Sequence, residues 1–146
     1  MTSESQRITD VFYLALVCWR EDRGGSTECL NEVAHSVLNR VRHRGWWGHD
    51  VASVVTQRYQ YSSMTAAGDP QLTVWPTCDE HWATCLEVAA GALDGKTVPK
   101  FTGADSYHDV SIPDPYWAKP EMFCGQIGRL RFFNTDADHP EPGGSA

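Results

Sequence analysis

The strongest constraint on the fold is an apolar stripe with helical spacing in residues 28–44. Its apolar positions recur three or four residues apart and lie on one face of an α-helix: Leu30, Val33, Ala34, Val37, Leu38 and Val41. A second stripe runs through residues 6–23 and stops at the paired glycines Gly24 and Gly25. The first third of the chain is therefore predicted to form two long helices.

The middle of the chain gives weaker signals. Asp50 is a suitable cap for a short helix over residues 51–57, and Thr77 with Glu80 predicts a capping box for a helix over residues 78–94. Residues 58–76 show neither periodicity, which predicts a structured loop with a short strand near residues 59–62.

The last part of the chain is predicted to be the β part. Residues 102–108 and 129–133 are expected to be short strands, with a proline-rich turn at 113–116 and a short helix opened by Pro120 between them. The predicted fold class is α+β, mainly helical with a small irregular β part.

Length and charge exclude several classes of protein. The chain has 146 residues, which favours a single domain over residues 1–135, followed by a tail at 136–146 that we expect to be disordered. With 19 acidic residues against 12 Lys and Arg, the net charge of −7 makes nucleic acid a poor partner. No apolar run is long enough to predict membrane insertion.

The five cysteines do not predict a disulfide scaffold, because they are odd in number and widely spread. Most of them are expected to be buried as small apolar residues. Cys78, His81 and Cys85 have spacings that suit a zinc site on one helix face, but no second ligand segment is evident. We therefore expect no cofactor.

Glu21 is the candidate acid. It lies at the end of an apolar helix just before the chain breaks at Gly24, where the helix dipole and apolar neighbours both favour its protonated form. A raised pKa suits a general acid. The alternative is that Glu21 pairs with Arg20, Arg23 or Arg40 on a solvated surface.

The segments 19–25 and 37–41 (Val-Leu-Asn-Arg-Val) resemble the opening signature of the SleB-type cell wall hydrolases, the family of spore cortex-lytic enzymes and related phage lysins. Further segments follow in the order of the family: residues 60–63, 90–95, 102–104 with 107–108, 115–118, and 127–128 with 132–133. Together the segments cover roughly residues 12–133, which is nearly all of the chain that we expect to be ordered. The chain differs from the family at Gly25, where a second Glu is frequent.

The resemblance implies a lysozyme-like α+β fold that cleaves peptidoglycan between N-acetylmuramic acid and N-acetylglucosamine. Glu21 occupies the position of the catalytic glutamate and would act as the acid and base of a lytic transglycosylase. Two alternatives remain open, a muramidase-type hydrolase that uses water and a non-catalytic peptidoglycan-binding module. Hydrolysis would require a second carboxylate. The candidates are Asp22, Glu28, Asp105 and Asp109.

The substrate-binding residues are predicted from the same segments. Gln60, Tyr61 and Ser62 are expected to hold N-acetyl groups near Glu21. The opposite wall is expected to consist of Tyr107, His108, Tyr116 and Trp117.

Other polar and aromatic residues are given structural roles. Arg40 is predicted to anchor the second helix to the backbone near Gly24, with a similar role for Asn39. The tryptophans Trp46, Trp47, Trp75 and Trp82 are assigned to packing, and the remaining histidines are expected on the surface: His35, His43, His49, His81 and His139.

The expected partner is the glycan strand of peptidoglycan. The first residues lack the basic and apolar order of a secretory signal. We therefore expect synthesis in the cytoplasm and action on the cell wall, as a phage-encoded or virion-associated lysin that relies on a phage particle or on release through a holin.

Overall fold

The computed structural model describes residues 3–43, 47–57 and 60–135. Helices dominate this part of the chain, and a small antiparallel sheet follows them. The α-helices are α1 (Glu4–Asp22), α2 (Thr27–Arg42), α3 (Val51–Val55), α4 (Ser62–Thr65) and α5 (Glu80–Leu93). The strands are β1 (Ser106–Asp109), β2 (Phe123–Ile127) and β3 (Leu130–Phe133).

Helix α1 lies at the centre of the molecule. Every residue from Leu14 to Arg20 is buried, so this half of the helix is covered on all sides. It packs against α2, α3, α4 and α5. The helix begins at a Ser3 cap and gives way at Gly24 to the positive φ of 83° that glycine adopts readily. The core thus fixes the position of the C-terminal end of α1.

The two predicted long helices are confirmed to within two residues at each end. Helix α2 begins after Ser26, whose side chain accepts a hydrogen bond from the Cys29 backbone N–H. Helix α3 has the predicted Asp50 cap, and Ser53 completes a capping box there.

Three local predictions are wrong. Asp79, not Thr77, caps α5, because its carboxylate accepts from the backbone N–H of Trp82. Helix α4 begins at Ser62, where a strand was expected. His35 and His43 are buried, although both were placed on the surface. Trp46, His139 and the tail at 136–146 lie outside the described residues.

The sheet has the strand order β1-β3-β2, with antiparallel pairing throughout. Strands near both predicted positions are confirmed, and a 3₁₀ turn at Pro120–Met122 matches the short helix expected there. Strand β2 was missed. It contains Gly125 and an irregularity between Phe123 and Gly125, so its sequence shows no alternation.

The cysteines are free thiols, of which Cys18, Cys29 and Cys85 are buried. Cys78 is exposed and precedes α5, so it does not share a helix face with Cys85. Within the described ranges, no group of three or more His, Cys, Asp and Glu side chains is arranged to hold a metal ion.

None of the helices in residues 3–43, 47–57 and 60–135 combines the length and apolar character that a membrane span requires.

Candidate active site

Glu21 lies one residue before the end of α1, and its side chain is only partly exposed. The Tyr107 hydroxyl donates a hydrogen bond of 2.7 Å to its Oε1. Tyr107 comes from β1, and its ring packs on Phe132 with the ring centroids 5.7 Å apart. The sheet therefore positions a hydroxyl group directly against the carboxyl group at the end of the central helix.

The surroundings of Glu21 raise its pKa. Burial is the main cause, the hydrogen bond from the Tyr107 hydroxyl opposes it, and the negative charge of Asp69 adds to the rise while the positive charge of Arg40 lowers it. The end of α1 also presents its carbonyl dipoles to this position. The carboxyl group therefore holds its proton to a higher pH than an exposed glutamate does.

The surface ion pair considered for Glu21 does not form. In the part of the chain that the structure describes, no arginine makes a salt bridge with it. Arg20 donates instead to the carbonyl oxygens of Ser63 and Val74, both at 3.1 Å. Arg23 bonds the Gln71 side chain and lies over the Trp19 ring at 3.7 Å.

These two arginines attach residues 62–75, which we call the arm, to the end of α1. The arm contains α4 and a 3₁₀ turn at Pro70–Thr73. Trp75 ends the arm with its ring 4.4 Å from the Arg20 guanidinium carbon. It is 59% exposed, so its assignment to packing is wrong. The arm is thus a second element, besides β1, that borders the end of α1.

Residues 60–62, which were predicted to hold N-acetyl groups together, have different roles in the structure. Tyr61 is buried, and its ring lies 4.9 Å from the Arg40 guanidinium carbon, while Gln60 accepts from Arg40 at 3.1 Å. The Ser62 hydroxyl is exposed and donates to Asp69 at 2.6 Å. The next residue, Ser63, is buried, and its carbonyl oxygen accepts from Arg20 at 3.1 Å.

The predicted opposite wall does not form a single surface. Tyr107 and His108 are neighbours in β1 and therefore point to opposite faces of the sheet. His108 stacks on Phe133 at 5.6 Å and lies 3.0 Å from Asp114. Of the four residues, only Tyr107 contacts Glu21.

The other two residues of that wall follow the sheet in a loop. Trp117 packs edge-on against Phe133 with the ring centroids 5.5 Å apart, on the side of His108. Tyr116 is 95% exposed. Trp117 therefore packs on the face of the sheet that carries His108, and the Tyr116 side chain is exposed to solvent.

Arg40 and Asn39 anchor α2 as expected, but to a different segment. The Arg40 guanidinium donates to the Asp105 carbonyl at 2.6 Å and to the Ser106 hydroxyl at 3.2 Å. Asn39 donates to the Ala104 carbonyl at 2.7 Å. They fasten the beginning of β1, and so the position of Tyr107, rather than the turn at Gly24.

Residues 25–133 match the family model described as "Cell Wall Hydrolase", which is about three quarters of the chain. The chain belongs to the cell wall hydrolase family. It is an enzyme family that acts on peptidoglycan. Glu21 itself lies just before the matched range.

Two solved structures resemble this cell wall hydrolase. The catalytic domain of the Bacillus cereus SleB protein has a TM-score of 0.69 and 20% identity, with 91% of this chain and 94% of that one covered. The catalytic domain of the germination-specific lytic transglycosylase SleB from Bacillus anthracis has a TM-score of 0.68 and 20% identity, over 90% and 96%. No curated protein sequence matches. The predicted α+β, lysozyme-like fold of the SleB type is confirmed.

The other carboxylates predicted for this hydrolase have separate partners. Glu28 pairs with Lys100, and Asp109 pairs with Arg129. Asp105 is buried and accepts from the Thr135 backbone N–H and hydroxyl. Burial also raises the pKa of Asp22, which lies beside Cys29. The carboxylate whose negative charge raises the pKa of Glu21 is that of Asp69 in the arm, which the sequence did not single out.

Proposed function

We propose that the protein is a lytic transglycosylase that cleaves the bond between N-acetylmuramic acid and N-acetylglucosamine, with Glu21 as its acid and base. The observation that carries the proposal is the state of the Glu21 carboxyl group. It is partly buried, its pKa is raised, and Tyr107 orients it through one hydrogen bond. Such a group holds its proton to a higher pH than an exposed glutamate does, and its carboxyl group is held in a fixed orientation.

The reaction needs only one carboxyl group. Protonated Glu21 gives its proton to the glycosidic oxygen while the bond from that oxygen to the muramic anomeric carbon breaks. The C6 hydroxyl of the same muramic residue then attacks the anomeric carbon, and the Glu21 carboxylate takes the hydroxyl proton. The products are a shortened glycan and a 1,6-anhydro end, and Glu21 is again protonated.

The proposal agrees with the contacts of the other predicted carboxylates. A hydrolase of the common kind needs a second carboxyl group about 5 to 9.5 Å from the first. Glu28 and Asp109 are each held in an ion pair, and Asp105 is held by Thr135. An intramolecular nucleophile removes the need for that group and lowers the entropic barrier.

The test is incubation with purified sacculi and mass spectrometry of the released muropeptides. We expect anhydro ends from the wild-type protein and a loss of at least ~100-fold in release by Glu21→Gln. Glu87→Gln, on the exposed side of α5, is the matched control and should retain activity. Equal release by wild type and Glu21→Gln would remove Glu21 from the mechanism.

Hydrolysis by water is the second candidate, and Asp69 is the observation that favours it. The negative charge of Asp69 raises the pKa of Glu21, and its carboxylate accepts hydrogen bonds from the Ser62 hydroxyl and the Gln71 backbone N–H. Products heavier than the anhydro form by one water, together with their loss in Asp69→Asn, would establish the hydrolase. Release of anhydro products by the Asp69→Asn variant would exclude Asp69 as the general base of a hydrolase.

Binding without cleavage is tested in the same assay, because Glu21→Gln should still sediment with sacculi. Wild-type binding without any release would make the protein a binding module. Delivery by a phage particle or through a holin stays a prediction from the sequence.

A further inference from the structure

Trp75 is the only exposed tryptophan among residues 3–43, 47–57 and 60–135. One side of its indole is occupied by the Arg20 guanidinium, at 4.4 Å from the ring centroid. The rest of the side chain is 59% exposed. The ring therefore offers a flat apolar surface to solvent at the end of the arm.

Arg20 holds this ring in a defined place. Arg20 is 6% exposed, and its guanidinium donates to the carbonyl oxygens of Val74 and Ser63, both at 3.1 Å. The same guanidinium thus fixes both the start of the arm, at Ser63, and the residue before Trp75. A side chain that is ordered before binding loses little entropy when a ligand stacks on it.

Arg20 and Glu21 are consecutive in α1, so Trp75 lies against the residue next to the reacting carboxyl group. The Arg20 guanidinium joins the indole to the Ser63 carbonyl oxygen, at the start of the arm. Pyranose rings have apolar C–H faces that pack on aromatic rings, and a glycan strand presents a series of them.

We propose that Trp75 is a sugar-stacking residue, whose exposed indole binds a pyranose ring of the glycan strand beside the ring on which Glu21 acts. This inference rests on the proposed function, since it assumes that a glycan occupies the Glu21 site. Trp75 contributes binding and not proton transfer, so its loss raises KM and leaves kcat nearly unchanged.

The chain offers a matched control in Phe123. Its ring also lies over an arginine, with the Arg131 guanidinium carbon 4.3 Å away, and it is 41% exposed. Phe123 packs against Phe133 on the face of the sheet that carries His108, opposite to Tyr107. Phe123→Ala therefore removes an exposed ring and uncovers an arginine without touching the arm.

The experiment measures sedimentation with purified sacculi in the Glu21→Gln protein and KM for sacculi in the active protein. We expect Trp75→Ala to weaken binding and raise KM by roughly fivefold to tenfold, with kcat within about twofold of wild type. Trp75→Phe should keep most of the affinity, and Phe123→Ala should keep all of it.

Trp75→Leu separates stacking from packing, because leucine still covers Arg20 but has no flat ring. We expect a thermal midpoint close to that of Trp75→Phe and a KM close to that of Trp75→Ala. Wild-type affinity in Trp75→Leu, or a fall in Phe123→Ala equal to that in Trp75→Ala, would overturn the proposal.

The two proposals fail in different ways. Normal cleavage by the wild type with unchanged affinity in Trp75→Ala overturns the role of Trp75 alone. A wild-type protein that binds sacculi through Trp75 without cleaving them overturns the catalytic proposal alone. A protein that neither binds nor cleaves sacculi overturns both.

Discussion

The Tyr107 hydroxyl and the Glu21 carboxyl group join the sheet to the central helix through a hydrogen bond of 2.7 Å. The two residues are 86 positions apart in the chain. Burial favours the neutral form of Glu21, and this hydrogen bond favours the charged form, so the two effects act on its pKa in opposite directions. Catalysis by one carboxyl group needs both forms in turn.

Tyr107→Phe keeps the ring that packs on Phe132 and removes only the hydroxyl. Without the hydrogen bond, the pKa of Glu21 rises further, so we expect the alkaline limb of the pH–rate profile to move to higher pH. We also expect kcat to fall roughly tenfold, since a positioned hydrogen bond contributes about 1 to 2 kcal/mol. Release of muropeptides from sacculi, measured between pH 4 and 9, gives both quantities.

Tyr13→Phe is the control, because it removes a phenol hydroxyl from α1 at a position half-buried beside Phe12. Its pH profile should coincide with that of the wild type. An unmoved alkaline limb in Tyr107→Phe would show that the hydrogen bond does not set the pKa of Glu21.

Glu21 is also expected to lower the stability of the fold at neutral pH. A carboxyl group whose pKa is raised by burial favours the folded state while protonated, and this contribution is lost as the pH rises through its folded pKa. Glu21→Gln removes the charge and keeps the shape. Its thermal midpoint should exceed that of the wild type at pH 7, and the difference should shrink toward pH 4.

Glu87→Gln provides the comparison for thermal unfolding, since Glu87 is exposed on α5. Its effect on the midpoint should be small at both pH values. A thermal midpoint of Glu21→Gln below that of the wild type at pH 7 would mean that the surroundings stabilise the charged carboxylate. That result would contradict the destabilising effect expected from its burial.

The helices could be predicted because their signals are local. The apolar stripe of α2 and the glycines after α1 each lie within one segment of sequence. Strand β2 was missed because Gly125 packs against the ring of Phe101, a long-range contact that leaves no periodic pattern. The cap of α5 was misplaced by two residues because Thr77 and Asp79 both suit that role.

The site was only partly predictable, because several of its contacts join segments that are distant in the sequence. Glu21 is visible from its place at the end of an apolar helix, and Tyr107 from its family-like segment. Asp69 was not singled out and Trp75 was assigned to packing, because the arm is held in place by Arg20 and Arg23 from another helix. Alternation in a strand as short as β1 separates Tyr107 from His108, which a list of aromatic residues does not reveal.

The Arg40 side chain fixes the segment that carries Tyr107, so replacing Arg40 should destabilise that segment. Arg40 is 7% exposed, and its guanidinium binds the Asp105 carbonyl, the Ser106 hydroxyl and the Gln60 side chain. A lysine cannot reproduce this planar set of donors. We expect Arg40→Lys to lower the free energy of unfolding by about 2 to 4 kcal/mol in urea titration.

Arg42→Lys is the matched substitution for that experiment. Arg42 is exposed in the last turn of the same helix and bonds the Asn39 side chain at 3.1 Å. Its loss should cost less than about 0.5 kcal/mol. Equal midpoints for the two variants would mean that the Arg40 contacts do not stabilise the start of β1.

The turn after α1 requires glycine at position 25 for a steric reason. A Cβ built on Gly25 would overlap the Asp22 carboxylate and lie 2.9 Å from the Asp22 carbonyl oxygen. Because that carbonyl belongs to the backbone, the end of α1 must shift to admit even an alanine. We expect Gly25→Ala to destabilise the fold by about 1 to 3 kcal/mol in urea titration and to reduce turnover of sacculi, since Glu21 precedes Asp22.

Gly68→Ala on the arm separates steric overlap from a general effect of replacing glycine. No atom lies within 4 Å of a Cβ at Gly68, so this variant should be as stable as the wild type or slightly more so. The same overlap excludes a glutamate at position 25 from this turn as it stands. Full stability and turnover in Gly25→Ala would show that the Asp22 side chain and backbone move aside freely, and the position of Glu21 would then not depend on this turn.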